Sequence, residues 1–173
     1  MLYLTYDNKL KTNMDVEKAI RERRSVREYT PDEVSEGDVE AILESGRWAP
    51  SGLNNQPWRF MVLRGDSKDR IAKHTKYGHI IMGAPVCIAV FFDDEAGYSR
   101  TKDMQAIGAC VQNMLLTIHN RGLGGVWLGE IINQRGEVEA ELGVKHELMA
   151  VVALGHPTEK SMSDRLDLKS LLL

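Results

Sequence analysis

Three arginines and a serine crowd one short stretch, Arg23-Arg24-Ser25-Val26-Arg27. Where a helix gives way to extended chain, Arg23 and Arg27 can converge on one anion from either side of Ser25. Guanidinium groups grip phosphate oxygens through charge-assisted, often bidentate hydrogen bonds, and a serine hydroxyl adds a neutral donor. The same run also suits a solvated helix end, where positive charge complements the C-terminal macrodipole. This stretch alone leaves both readings open.

A second stretch runs Ala49-Pro50-Ser51-Gly52-Leu53-Asn54-Asn55-Gln56-Pro57-Trp58. Its prolines stiffen the ends of a loop, and Gly52 lets a partner approach the backbone closely. Asn54, Asn55 and Gln56 supply amide donors and acceptors together. A heteroaromatic ring with carbonyl and nitrogen edges needs that mixture. The alternative is a turn whose amides cap neighbouring backbone. A third stretch, Gly122 to Glu130, carries Gly122, Gly124 and Gly125 ahead of Val126-Trp127-Leu128-Gly129. It fails the dinucleotide fingerprint, because no GxGxxG opens a helix after a strand. Gly122 reads as a helix C-cap, and backbone amides near Leu128 and Gly129 can face a ligand.

Other chemistry finds less support. Asp93-Asp94-Glu95 reads as a solvated acidic loop. The five histidines show no HxxxH or HExxH pairing, so no metal site is expected. No GxSxG elbow or Walker loop occurs, and no residue stands out as a catalytic acid or base. Cys87 and Cys110 lie in apolar stretches without CxxC spacing, which suits buried free thiols in a reducing cytoplasm.

The elements that must position these segments follow from periodicity and punctuation. Asp15 opens a short helix that ends in the arginine run, and Ser25 to Tyr29 reads as extended. Ser35 and Asp38 resemble a capping box, followed by Val39, Ile42, Leu43 and Gly46 on one helical face. Pro57 to Leu63 reads as a strand, and Asp66 caps a helix reaching about Lys73. Val86 to Phe92 is a near-continuous apolar strand of the kind covered on both faces. A long helix over about Thr101 to Asn120 carries Met104, Ile107, Val111, Met114 and Ile118 among small residues. Strands over Val126 to Ile131 and Leu148 to Leu154 flank a helix from about Gln134 to Leu142. Strands and helices interleave without strict βαβ alternation, so the fold expected is α+β, a sheet covered by helices.

A chain of 173 residues suits one domain. We expect residues 1–13 to be an extension and residues 14–173 one domain. A net charge of -3 argues against a nucleic-acid-coating role. No apolar run is long enough to span a membrane.

In this order, the segments resemble the FMN-dependent nitroreductase family, in a short-chain form, over residues 15–168. The sharpest parts are Arg-Arg-Ser-Val-Arg, Ala-Pro-Ser-Gly-x-Asn-x-Gln-Pro-Trp and the closing Ala-Leu-Gly-His-Pro. The resemblance implies a nitroreductase-like α+β fold with a mixed, mainly antiparallel sheet, in a domain-swapped type of homodimer with FMN at its interface. It implies that Arg23, Ser25 and Arg27, with Arg24 adjacent, hold the FMN phosphate, ribityl chain and ring edge. Pro50, Ser51, Gly52 and Asn54 then contact the ring from the partner subunit. Trp127, Leu128 and Gly129 meet the ring edge, and Arg165 returns to the phosphate. Ser163 stands where a second cation often appears, with Lys160 available to compensate. The implied reaction is ping-pong hydride transfer from NADH or NADPH, through flavin N5, to a nitroaromatic, quinone or similar small acceptor in the cytoplasm. Dehalogenation, ene reduction, flavin fragmentation, azoline oxidation and flavin storage share the resemblance.

Overall fold

The computed structural model describes residues 15–158 and 161–173. The expected extension over residues 1–13 and the expected basic residue Lys160 lie outside the described residues. Helices α1 (Val16–Glu22) and α2 (Glu36–Arg47) precede strand β1 (Trp58–Leu63). Two short helices follow, α3 (Asp66–Ala72) and α4 (Gly78–Gly83), and then strand β2 (Val86–Phe92). The long helix α5 (Arg100–Asn120) leads to β3 (Gly124–Leu128), α6 (Arg135–Leu142) and β4 (Glu147–Gly155).

The four strands form one sheet in the order β1-β2-β4-β3, with every pairing antiparallel. The sheet is mixed only through an isolated parallel bridge, Ser25 to Gly125. All seven residues of β2 are buried, because the pleat sends alternate side chains into two separate cores. Val86, Ile88, Val90 and Phe92 join Ile42 of α2 and Val111 and Met114 of α5. Cys87, Ala89 and Phe91 face the other way, against Ile71 of α3, Ile81 of α4 and Val138 of α6. Helices on both faces explain why this strand lacks polar alternation. Cys87 and Cys110 therefore lie on opposite faces of the sheet, free and buried. Burial pushes each thiol up to about 12.

The helix starts show which local signals decide. Ser35 caps α2, its hydroxyl accepting from the Asp38 amide at 3.1 Å. Ser35→Ala should cost about 1 kcal/mol and lower the melting temperature by roughly 2–4 °C. A thermal melt that does not move would show that the cap is redundant. Asp66 does not cap α3 as expected. Gly65 is the N-cap and provides no side-chain bond, and Asp66 is the first helical residue. The third strand is also displaced, beginning at Gly124 and ending at Leu128, with a 3-10 turn over Glu130–Gln134. Nor is Asp93 solvated. It is buried beneath an ion pair with Arg59, and its carboxylate accepts from the Glu95 amide at 3.1 Å. Among the described residues, no helix is long and apolar enough to cross a membrane.

Candidate functional site

The arginine run leaves α1 at its C-cap, Arg23, and is then fastened to the free edge of the sheet. The Val26 amide donates to the Gly125 carbonyl at 3.1 Å beside the Ser25–Gly125 bridge. The Val26 side chain lies flat on Gly124, where a Cβ would come within 2.7 Å of it. Tyr29 locks the segment from below, its hydroxyl donating to the carbonyls of Val26 at 2.6 Å and Ala153 at 3.1 Å. Burial pushes that phenol well above its usual range, which keeps it a neutral donor. Tyr29 was not among the residues expected at the site, yet it fixes the backbone from which the arginines project.

Thus anchored, Arg23, Arg24, Ser25 and Arg27 meet Ser163 and Arg165 of the C-terminal tail around a cavity of about 260 Å3. Among the described residues, none of these four arginines is ion-paired to a carboxylate. Arg24 donates to the Arg21 and Arg23 carbonyls and so also closes the end of α1. Arg165 donates to Ser163. Partial burial, then the charges of Arg165 and Arg24, hold the Arg23 guanidinium below its ordinary value. Such a cluster resists its own charge until an anion neutralises it. A phosphate monoester, with nearly two negative charges and three acceptor oxygens, is suited to this donor set.

Beside this cavity lies a larger one of about 520 Å3, with Leu115, Ile118 and Leu123 among the residues of its wall. Past the bridge at Gly125, the outer backbone edge of Val126–Leu128 has no strand partner among the described residues. Trp127 is exposed on this edge. The Leu128 side chain enters the core facing α3 and α6, so only its backbone is available to a ligand. Gly129 follows directly.

The amide-rich loop lies elsewhere. It feeds β1, at the opposite edge of the sheet from β3, and meets the N-terminal end of α5, whereas the arginine cavities adjoin its C-terminal end. Asp103 touches the loop and His119 lines the larger cavity. Along the helix they stand about 24 Å apart, given a rise of about 1.5 Å per residue. The structure therefore gathers Arg23, Arg24, Ser25, Arg27 and Arg165. It leaves Pro50, Ser51, Gly52 and Asn54 at a distance within the same chain.

That loop is strained in a specific way. Leu53, Asn54 and Gln56 all adopt positive φ, at 55°, 56° and 49°. The conformation costs Leu53 and Gln56 about 1–2 kcal/mol each, and asparagine less, so something must hold them. The Gln56 amide donates to the Ser51 hydroxyl at 3.0 Å, and Gln56 Nε2 donates to the Asn54 carbonyl at 3.2 Å. Asn55 turns inward to Asp103 and the Ala96 carbonyl. The amides thus cap neighbouring groups, while Pro50 and Asn54 are exposed.

A family model, the Nitroreductase family, matches residues 20–78 and 73–156, which include the arginine run, the loop and the glycine stretch. The chain belongs to the nitroreductase family. A crystal structure of a protein from Desulfovibrio desulfuricans, provisionally called a nitroreductase and in complex with FMN, is 52% identical. It superimposes with a TM-score of 0.90, covering 94% of this chain and 97% of that one. A relative from Methanothermobacter thermautotrophicus, provisionally named an NADH dehydrogenase/NAD(P)H nitroreductase, is 33% identical over 86% of this chain and 80% of its own. An NADH dehydrogenase from Thermus thermophilus is 31% identical over 92% of this chain and 96% of its own. The nitroreductase fold expected from the sequence is the one observed.

Proposed function

We propose that this nitroreductase-family chain is an FMN-dependent oxidoreductase that passes a hydride from NADH or NADPH to a nitroaromatic, quinone or similar small acceptor. The observation that carries the reading is the cluster of Arg23, Arg24, Arg27 and Arg165 around one cavity, without an ion-paired carboxylate among the described residues. In this reading Arg23, Arg27 and Arg165 hold the FMN phosphate, Ser25 adds a neutral donor, and Arg24 supports from the helix end. The free edge at Trp127, Leu128 and Gly129 supplies backbone groups to the ring. FMN, when bound, accepts the hydride at N5 and returns it to the acceptor in a second half-reaction. The chain contributes position, charge and exclusion of water; the nicotinamide needs no nucleotide domain of its own.

The ring-binding role of Pro50, Ser51, Gly52 and Asn54 then requires a second copy, since one chain holds its loop and its arginines far apart. A symmetric homodimer supplies each cavity with the partner's loop and yields two equivalent sites. Exposed apolar side chains support this arrangement. Trp48 precedes the loop, Leu53 lies within it, and Leu166, Leu168, Leu171 and Leu172 extend along the tail, uncovered by their own chain. Residues 14–173 act in this reading as one FMN-binding domain, in a reducing cytoplasm that keeps both thiols free.

The test is the visible spectrum of the purified protein, before and after anaerobic NADH or NADPH, alongside its mass in solution. We expect flavin bands that bleach on reduction, from a dimer. Bands that persist would point to a flavin-storage role. No bands even after added FMN, or a monomer that retains FMN, would overturn the shared flavin site.

A further inference from the structure

Asp103 stands in the first turn of α5 with no exposed surface. Among the described residues it has no cationic partner. A buried carboxylate is costly unless its oxygens are satisfied, and here all the compensation comes from two loops. One oxygen accepts from Asn55 Nδ2 at 2.8 Å. The other accepts from the backbone amides of Tyr98 at 3.0 Å and Ser99 at 2.8 Å. Burial works to raise its pKa, but the bonds from Asn55, Ser99 and Tyr98 outweigh it and hold the carboxyl below its ordinary value.

The two loops meet beyond this carboxylate. Tyr98 lies against Gly52 so closely that a Cβ there would fall 2.1 Å from the phenol oxygen. The loop it touches contains the three positive-φ residues, and its short-range bonds, Asn54 to Ser51, Asn55 to Gly52, Gln56 to Ser51 and Gln56 to Asn54, tie it only to itself. Asn55 is its long-range tie, reaching Asp103 and the Ala96 carbonyl at 2.9 Å. The N-cap position of α5 is already held by Ser99, which makes no side-chain cap bond; the charge of Asp103, four residues on, clasps both loops, which a cap alone does not require.

We infer that Asp103 is a positioning residue of the flavin-ring site: through Asn55 it holds the loop of residues 51–56, with its three left-handed residues, in place, and through Tyr98 and Ser99 it sets the Tyr98 ring against Gly52. This rests on the FMN reading above. Asp103 touches no ligand itself, and its effect reaches the ring only through the loop. An amide at this position fails for a definite reason. If its oxygen stays on Tyr98 and Ser99, its NH2 faces the Asn55 NH2. Turning Asn55 to offer Oδ1, a buried atom with no hydrogen-bond partner, would give up the bond to Ala96.

The experiment uses the full chain with FMN as probe, measuring the FMN Kd, the visible band shape of the bound flavin and hydrogen exchange of residues 51–56 without flavin. Asp103→Asn should raise the Kd about tenfold, the loss of one bond to a charged group. It should shift the band shape and speed exchange in 51–56 while β2 and β4 stay protected. Asn55→Ala, which keeps the carboxylate and its bonds from Tyr98 and Ser99 but removes its tie to the loop, should do the same and carries the test if Asp103→Asn does not fold. The double variant should be little worse than either alone. Unchanged Kd, band shape and exchange would overturn the inference, whatever happens to the melting temperature. Wild-type protein that takes up no FMN would overturn the flavin reading itself, seen before any variant is compared.

Discussion

Replacing Arg23 and Arg27 together with alanine is expected to strip FMN from the protein while leaving its fold in place. Neither side chain enters either core, and neither is ion-paired to a carboxylate among the described residues. In the apoprotein Arg23 is repelled, since Arg165 and Arg24 both press on it, and Arg27 bonds only to the Ser25 carbonyl among the described residues. Removing two of the four charges therefore leaves the melting temperature unchanged or slightly higher. Each hydrogen bond from a guanidinium to a phosphate oxygen is worth about 1.5–3 kcal/mol, so losing two weakens FMN binding by roughly a hundredfold or more. The check is flavin content after gel filtration beside a thermal melt of the apoprotein. A folded double variant that keeps stoichiometric FMN would remove these arginines from the site.

The second large effect should come from Gly124→Ala, a change that touches no arginine. A Cβ there would lie 2.7, 2.8 and 2.9 Å from Cγ1, Cβ and Cγ2 of Val26. Rotation cannot relieve a clash with all three atoms, because the branched side chain is stiff at χ1 and its Cβ is itself involved. The segment must lift from the sheet edge, straining the Val26 to Gly125 bond and moving the arginines that flank it. Overpacking of this kind costs about 1–3 kcal/mol, a fall of several degrees in melting temperature, and FMN affinity should drop about tenfold with it. Gly143→Ala supplies the control. It is also a strained site, with φ at 65°, but at the far end of α6 with open space around it. That variant should lose stability and keep its FMN Kd. If Gly124→Ala also keeps its Kd, the sheet edge does not set the arginines.

What the sequence made legible depended on how local the deciding interaction is. The Ser35–Asp38 cap and the apolar run of β2 are written in adjacent residues, and both stand as read. The arginine run was legible as a cluster of positive charge because its residues are close in sequence. Its anchoring was not, since Tyr29 reaches Ala153 across the chain and Val26 reaches Gly124. Asp66 and Asp93 misled for opposite reasons. One looked like a cap but had a glycine to do that work, and the other looked solvated but had Arg59 to bury it. The loop is the sharpest case. Its amides were read as either ring contacts or backbone caps, and Asn55 proves to be a cap whose partner, Asp103, follows 48 positions later. No spacing rule links those two residues, and nothing in Leu53 or Asn54 announces a left-handed backbone.

The burial of both thiols has a practical consequence. The thiolate is the form that attacks sulfhydryl reagents, and burial, which pushes Cys87 and Cys110 up to about 12, leaves little of it near neutral pH. The native chain should therefore react little with maleimides, although its sequence contains two cysteines. A single cysteine introduced on the exposed tail, at Lys169 for example, would be the only labelled position in each copy. Spin or fluorescent labels there would report the distance between tails in the proposed homodimer without first stripping the protein of its own sulfur.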